Sequence, residues 1–156
     1  MIRFSCFMLV AVLVAPVASA APPKPNFTGT WKVNFQKSVL QTPAPDSTLF
    51  VVEHNEPSFH LTRTHVAKGK SDTFSIHLTT DGKEIVRKEG NRTDYSRAYW
   101  EGNVLVFFTR IVMGDKEATN LVRYTMAGDG RSFTAMERFR GPKLNYDNVW
   151  VMEKQK

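Results

Sequence analysis

Four histidines, one glutamate and two arginines are the residues through which this chain could do chemistry. Matching the apolar faces of two neighbouring runs, Phe59-His-Leu-Thr-Arg63 and Phe74-Ser-Ile-His-Leu78, pairs Leu61 with Ile76 and Phe59 with Leu78, leaving Ala67-Lys-Gly-Lys70 as the loop. That register sets His60 directly opposite His77, and two facing imidazoles could supply two ligands to zinc or copper. A third ligand is not evident, because His54 and His65 fall elsewhere by strand phase. The pair therefore reads as solvent-facing histidines on a wet sheet, and no metal site is assigned. Nucleophilic catalysis has no better support: a triad needs Ser or Cys beside an oriented His, and no strained nucleophile turn accompanies these histidines.

Glu137 is the more informative acid. Alternation along Phe133–Phe139 places it on one face with Phe133, Ala135 and Phe139, which buries a carboxylate unless a cation or hydroxyl answers it. Arg63, phased with Phe59 and Leu61, and Arg110, phased with Val106 and Phe108, are the candidate answers. Such a cluster is either a structural ion pair or the group that orients a ligand. Acid–base chemistry by Glu137 and an arginine is a third reading, set below both because a buried carboxylate beside Arg is more often an internal ion pair. No catalytic residue is assigned, and no cofactor is called for.

The elements that must carry these side chains are short runs rich in Val, Ile, Phe, Thr and Tyr, separated by turn residues. Strands are predicted at 28–35, 48–54, 58–66, 73–79, 84–88, 93–100, 104–112, 117–126, 132–140 and 148–154. Asp81-Gly82, Gly90-Asn91, Gly102-Asn103, Gly114-Asp115 and Asp129-Gly130 supply residues that tolerate the backbone of tight hairpins. Turns in such succession imply strands paired in chain order. No window keeps a helical repeat, and Pro43 and Pro45 argue against more than a turn of helix in the segment 36–47. The fold class expected is all-β: an antiparallel up-and-down meander whose unpaired edges are removed most simply by closure into a barrel of about eight to ten strands. A two-sheet sandwich is the other possibility. Strands 104–112 and 121–126 are apolar on both faces in part, so their inward sides are ambiguous.

The chain has 156 residues. Its start, with Arg3, an apolar stretch to Val17 and the small triplet Ala18-Ser19-Ala20, has the grammar of a secretory signal cleaved after Ala20. Pro16 breaks the stretch, which falls short of the roughly 20 residues of a membrane span, so no span is expected after cleavage. The expected organisation is a signal peptide at 1–20, an extended Pro-rich leader at 21–26 and a single β-barrel domain at 27–156, in a secreted or periplasmic protein. The single cysteine, Cys6, would leave with the signal, so disulfides and thiol chemistry are not expected to contribute. The formal charge of +6 comes from scattered basic residues rather than a stripe interleaved with aromatics, which argues against nucleic acid as a partner. Two sequons, Asn26-Phe-Thr28 and Asn91-Arg-Thr93, would be glycan acceptors in a eukaryotic source.

The opening Asn26-Phe-Thr-Gly-Thr-Trp-Lys-Val33 resembles the Gly-X-Trp signature of the calycins, the superfamily of lipocalins and fatty-acid-binding proteins. The ending Val149-Trp-Val-Met-Glu-Lys154 is similar to the last strand of the fatty-acid-binding branch. The resemblance extends to uncharacterised secreted bacterial lipocalin-like proteins that start with a similar Gly-Thr-Trp strand. It implies a barrel in which Gly29 permits close backbone approach and Trp31 plugs the closed end. Departures are specific: segment 36–47 is too short and proline-rich for a two-helix lid, the family's Arg-X-Tyr is replaced by Trp150-Val-Met152, and no His follows His77. The functional expectation is a non-enzymatic lipocalin-like protein that binds a small, mainly apolar or amphipathic molecule. The candidate lumen residues are Arg63, Arg110, Tyr124, Glu137, Phe108 and Phe139. The alternative is a structural or envelope-interaction module whose barrel is filled by its own aromatics. An interior above about 300 Å³ favours the first, a packed one the second.

Overall fold

The computed structural model describes residues 23–156, so the expected signal segment and the first leader residues lie outside it. Ten strands follow: β1 (Gly29–Val33), β2 (Ser47–Asn55), β3 (Ser58–Ala67), β4 (Lys70–Thr79), β5 (Ile85–Glu89), β6 (Arg92–Glu101), β7 (Val104–Met113), β8 (Lys116–Met126), β9 (Ser132–Arg140) and β10 (Asn145–Lys154). All neighbours are antiparallel, in the order β4-β3-β2-β1-β10-β9-β8-β7-β6-β5. The sheet is thus a meander whose first and last strands join through β1 and β10, with Trp31 paired to Lys154 and Val33 to Met152. Among the described residues there is no helix. The chain has an all-β, calycin-like barrel.

The register predicted for β3 and β4 is the one found: Phe59 faces Leu78, His60 faces His77 and Leu61 faces Ile76. The ladder runs one step further than expected, since Ala67 pairs with Lys70, and the turn is only Lys68-Gly69. Both residues have positive φ, 52° and 71°, the geometry a tight two-residue hairpin requires. Gly90-Asn91, Gly102-Asn103 and Gly114-Asp115 likewise close two-residue hairpins between β5 and β6, β6 and β7, and β7 and β8. Asp81-Gly82 instead sits in a longer connection, where Asp81 bridges Tyr99.

Segment 36–47, too short for a lid, continues the track of β1 along β10. Val39 and Val149 exchange backbone bonds of 2.8 and 2.7 Å, and Gln41 Oε1 accepts from the Asp147 amide. It therefore covers the part of the β10 edge that the short β1 leaves unpaired.

One end of the barrel is plugged by aromatics. Phe27, Trp31, Phe59, Phe133, Leu105 and Met152 are fully buried. Trp31 Nε1 donates to the Phe27 carbonyl at 2.8 Å, and its ring meets Phe133 edge-on at 4.9 Å. Gly29 holds φ +144°, and a Cβ there would come within 2.7 Å of the Lys154 side chain. Gly29 thus holds a backbone conformation that side chains rarely adopt, and Trp31 fills the plug.

A hydrogen-bonded knot closes the same end. The Phe27 amide donates to His54 Nδ1 at 3.2 Å, so His54 carries its proton on Nε2 and donates to Glu56 Oε1 at 2.8 Å. Trp100 Nε1 (2.9 Å) and the Thr80 hydroxyl also donate to Glu56. Partial burial pulls the Glu56 pKa up, but the bonds from Thr80, His54 and Trp100 outweigh it and hold the group below its ordinary value.

The barrel has one seam. No ladder joins β4 to β5. Phe74 of β4 lies between two guanidiniums, Arg63 of β3 at 5.4 Å and Arg87 of β5 at 5.6 Å, so a cation–π contact spans the opening.

Candidate ligand-binding lumen

Inward-facing side chains are layered because each strand places every second residue on the lumen. Above the aromatic plug come Leu61, Ile76, Phe107, Val122 and Tyr124, then a polar layer with Arg63, His65, Asn120, Glu137 and Trp150. Between them lies a cavity of about 890 Å³. The barrel is therefore not filled by its own aromatics, and the size is that of a site for a small molecule.

Glu137 does enter the lumen, as alternation along β9 predicted, but neither expected arginine answers it. Four neutral donors do: Trp150 Nε1 at 2.9 Å and Asn148 Nδ2 at 3.2 Å to Oε2, Asn120 Nδ2 at 3.3 Å and the Tyr146 hydroxyl at 3.4 Å to Oε1. Asn148 is oriented from behind, its Oδ1 accepting from the Gln41 amide at 2.8 Å. An environment made only of donors keeps both carboxylate oxygens as acceptors.

The other expected site residues divide. Arg63 and Tyr124 line the lumen with Glu137. Arg63 gives Nη2 to Asp72 at 3.0 Å, and its Nε is buried without a partner. Phe139 has the inward phase of β9 and stacks on Tyr146 at 5.2 Å and 10°, beside the cavity rather than in its wall. Arg110 and Phe108 are a correction. The lumen face of β7 is Phe107, Thr109 and Ile111, which puts both on the outer face. Arg110 lies 4.1 Å over the Tyr95 ring and reaches Glu117 at 3.5 Å, while Phe108 lies under Arg97 at 5.3 Å. The strand is apolar on both faces, so alternation had no polar side to break the tie. Arginine stems and tyrosines from the neighbouring strand cover the outer apolar residues.

Reading by residue type also missed most of Glu137's partners. Tyr146, Asn148 and Trp150 alternate on one face of β10, so period-two spacing on the last strand was the available signal.

The lumen perturbs its own titratable groups. Burial lowers the His65 pKa, with Arg63 adding to the effect and Asp72 and Glu137 opposing it. His65 Nδ1 is 2.7 Å from the buried Thr48 hydroxyl, and its ring stacks on Trp150. Burial, then the Glu137 charge, push the Tyr146 phenol up to about 12 and the Tyr124 phenol upward as well. The facing pair His60 and His77 has ring centroids 6.0 Å apart, with Glu53 Oε2 3.5 Å from His60 Nδ1, and among the described residues no group of three or more His, Cys, Asp or Glu is gathered so as to hold a metal.

A scan against protein-family models finds no match, and no curated protein matches significantly. Solved structures do match. A secretory abundant heat soluble protein of Ramazzottius varieornatus superposes with a TM-score of 0.57 at 11% identity, covering 88% of this chain and 100% of that one. The zebrafish ileal bile acid-binding protein, complexed with cholic acid, gives 0.53 at 16% identity over 83% of this chain and 98% of its own. The fluorescent protein UnaG gives 0.54 at 13% identity over 83% and 96%. At these identities the likeness is one of fold. With the ten-stranded order above, it shows a calycin-like barrel fold.

Proposed function

We propose that this chain is a non-enzymatic, extracytoplasmic binding protein that takes up a small, mainly apolar molecule in its barrel, oriented by the polar layer around Glu137 and Arg63. The observation that carries this is the lumen of about 890 Å³, with an apolar floor beneath a small set of convergent polar groups. The bile acid seen in the zebrafish neighbour supports the same use of the same architecture. Export rests on the N-terminal pattern ending at Ala20. An acid–base role is not favoured, because Glu137 is satisfied by four donors and has no histidine within hydrogen-bond reach to relay a proton.

The test is incubation of the purified protein with a lipid extract of its source, followed by gel filtration and mass spectrometry of what co-elutes. A retained amphiphile, displaced when Leu61 or Phe107 is enlarged or made charged, is the expected result. A protein that emerges empty at saturating extract would overturn the reading. Amino-terminal sequencing of the exported form should begin at Ala21.

A further inference from the structure

The charges around the lumen are unequally committed. Arg63 is paired with Asp72 at 3.0 Å, Arg92 with Asp94 at 2.7 Å and Arg87 with Glu89 at 3.7 Å, all toward the seam between β4 and β5. Arg63 Nε is buried without a partner. Every lumen arginine thus has its own carboxylate. Glu137 has none of the opposite sign: its four partners are neutral, and three of those bonds are 3.2 Å or longer. His65 adds no positive charge near neutrality, since burial holds it below its ordinary range. The charge left for a ligand to balance is negative.

The surroundings of that carboxylate are aromatic. Trp150 and Tyr146 both touch it, Tyr146 is backed by Phe139, and Trp150 is backed by His65. A carboxylate without a counter-ion, met by the N–H and O–H edges of two aromatic rings, is the chemistry that recognises an ammonium by charge. An anionic head group would find repulsion there, while each lumen arginine already faces a carboxylate of its own.

We propose that the lumen selects a cationic amphiphile, an alkylammonium whose head group sits at Glu137 against Trp150 and Tyr146 and whose chain lies on the floor of Leu61, Ile76 and Phe107. This rests on the ligand-binding reading above and names the ligand class for the same site.

The experiment is calorimetric titration of the purified protein with dodecylammonium, dodecanol and dodecanoate, which share a chain and differ in the head, each below its micelle concentration. Dodecylammonium should bind about tenfold or more tightly than dodecanoate, with dodecanol between. In Glu137→Gln the ammonium should lose about that factor, so that its lead over dodecanol closes. Dodecanoate binding as tightly as the ammonium, or an ammonium preference that survives E137Q, overturns the proposal and leaves ligand binding intact. Failure of all three to bind overturns the ligand-binding reading itself. Should the Gln variant not fold, the ranking on the unaltered protein decides alone.

Discussion

Trp150 Nε1 donates a 2.9 Å hydrogen bond to Glu137 Oε2, diagonally across the β9–β10 ladder in which Trp150 faces Ala135 and Glu137 faces Asn148. It is the shortest of the four bonds to that carboxylate, and it joins the polar layer of the lumen to the final strand. A charge held inside a barrel without a counter-ion depends on such donors, because an uncompensated buried carboxylate is costly.

Removing the donor while keeping the ring face tests this. Trp150→Phe should lower unfolding free energy by about 1–3 kcal/mol, the cost of leaving a buried acceptor short of a partner. Urea denaturation measures it. In an E137Q background the loss should differ, since Gln presents an amide in place of one charged oxygen, and the double-mutant cycle should show coupling.

His65 should titrate below the ordinary histidine range when followed by NMR of its ring carbons. The sign of the linked stability follows: with the folded pKa depressed, the contribution is complete above the unfolded value of about 6.5 and is lost as pH falls through the folded one. Arg63→Met should move the titration upward, because it removes a positive charge that disfavours the protonated ring.

Tyr146 should resist ionisation until pH is close to 12 in a spectrophotometric titration. Burial is the larger cause and the Glu137 charge the second, so E137Q should bring the midpoint down without restoring the exposed value.

At the plugged end, Phe27→Ala should cost about 3–5 kcal/mol, because Phe27 packs against Phe59, Phe133, Tyr124 and Trp100 with no exposure. The Glu56 knot adds an acid limb. Its folded pKa is lowered, so its contribution is present above the ordinary glutamate range and is lost as pH falls through the depressed value. Glu56→Gln should flatten that limb in a pH series of thermal melts.

Arg110 checks the face assignment of β7. On the outer face, partly exposed and stacked on Tyr95, its replacement by Ala should change stability by about 1 kcal/mol or less and leave ligand uptake untouched. Phe107→Ala, on the lumen side of the same strand, should alter uptake.

How far the sequence reached differs from residue to residue. The β3–β4 pairing was legible because Phe59, Leu61, Ile76 and Leu78 alternate with polar residues, so only one register buries both apolar faces. The ten strands and their chain-order pairing, except between β4 and β5 across Asp81-Gly82, were legible for a similar reason: period-two patterns and turn residues act locally. Gly29 and Trp31 marked the plug from a short motif. Glu137 was found by phase alone, since a carboxylate on an apolar face stands out.

What the tertiary structure decided lay between distant strands. The inward side of β7 could not be read, because Phe107 and Phe108 are both apolar and only the closed sheet, with Phe107 on the lumen and Arg97 over Phe108, settles which one faces out. The partners of Glu137 come from β8 and β10, those of Glu56 from β2, β6 and the connection after β4, and no local period links them. The open seam and the volume of the lumen are properties of closure. Alternation tells each strand which face is apolar, but the curvature of the whole sheet determines how much space those faces enclose.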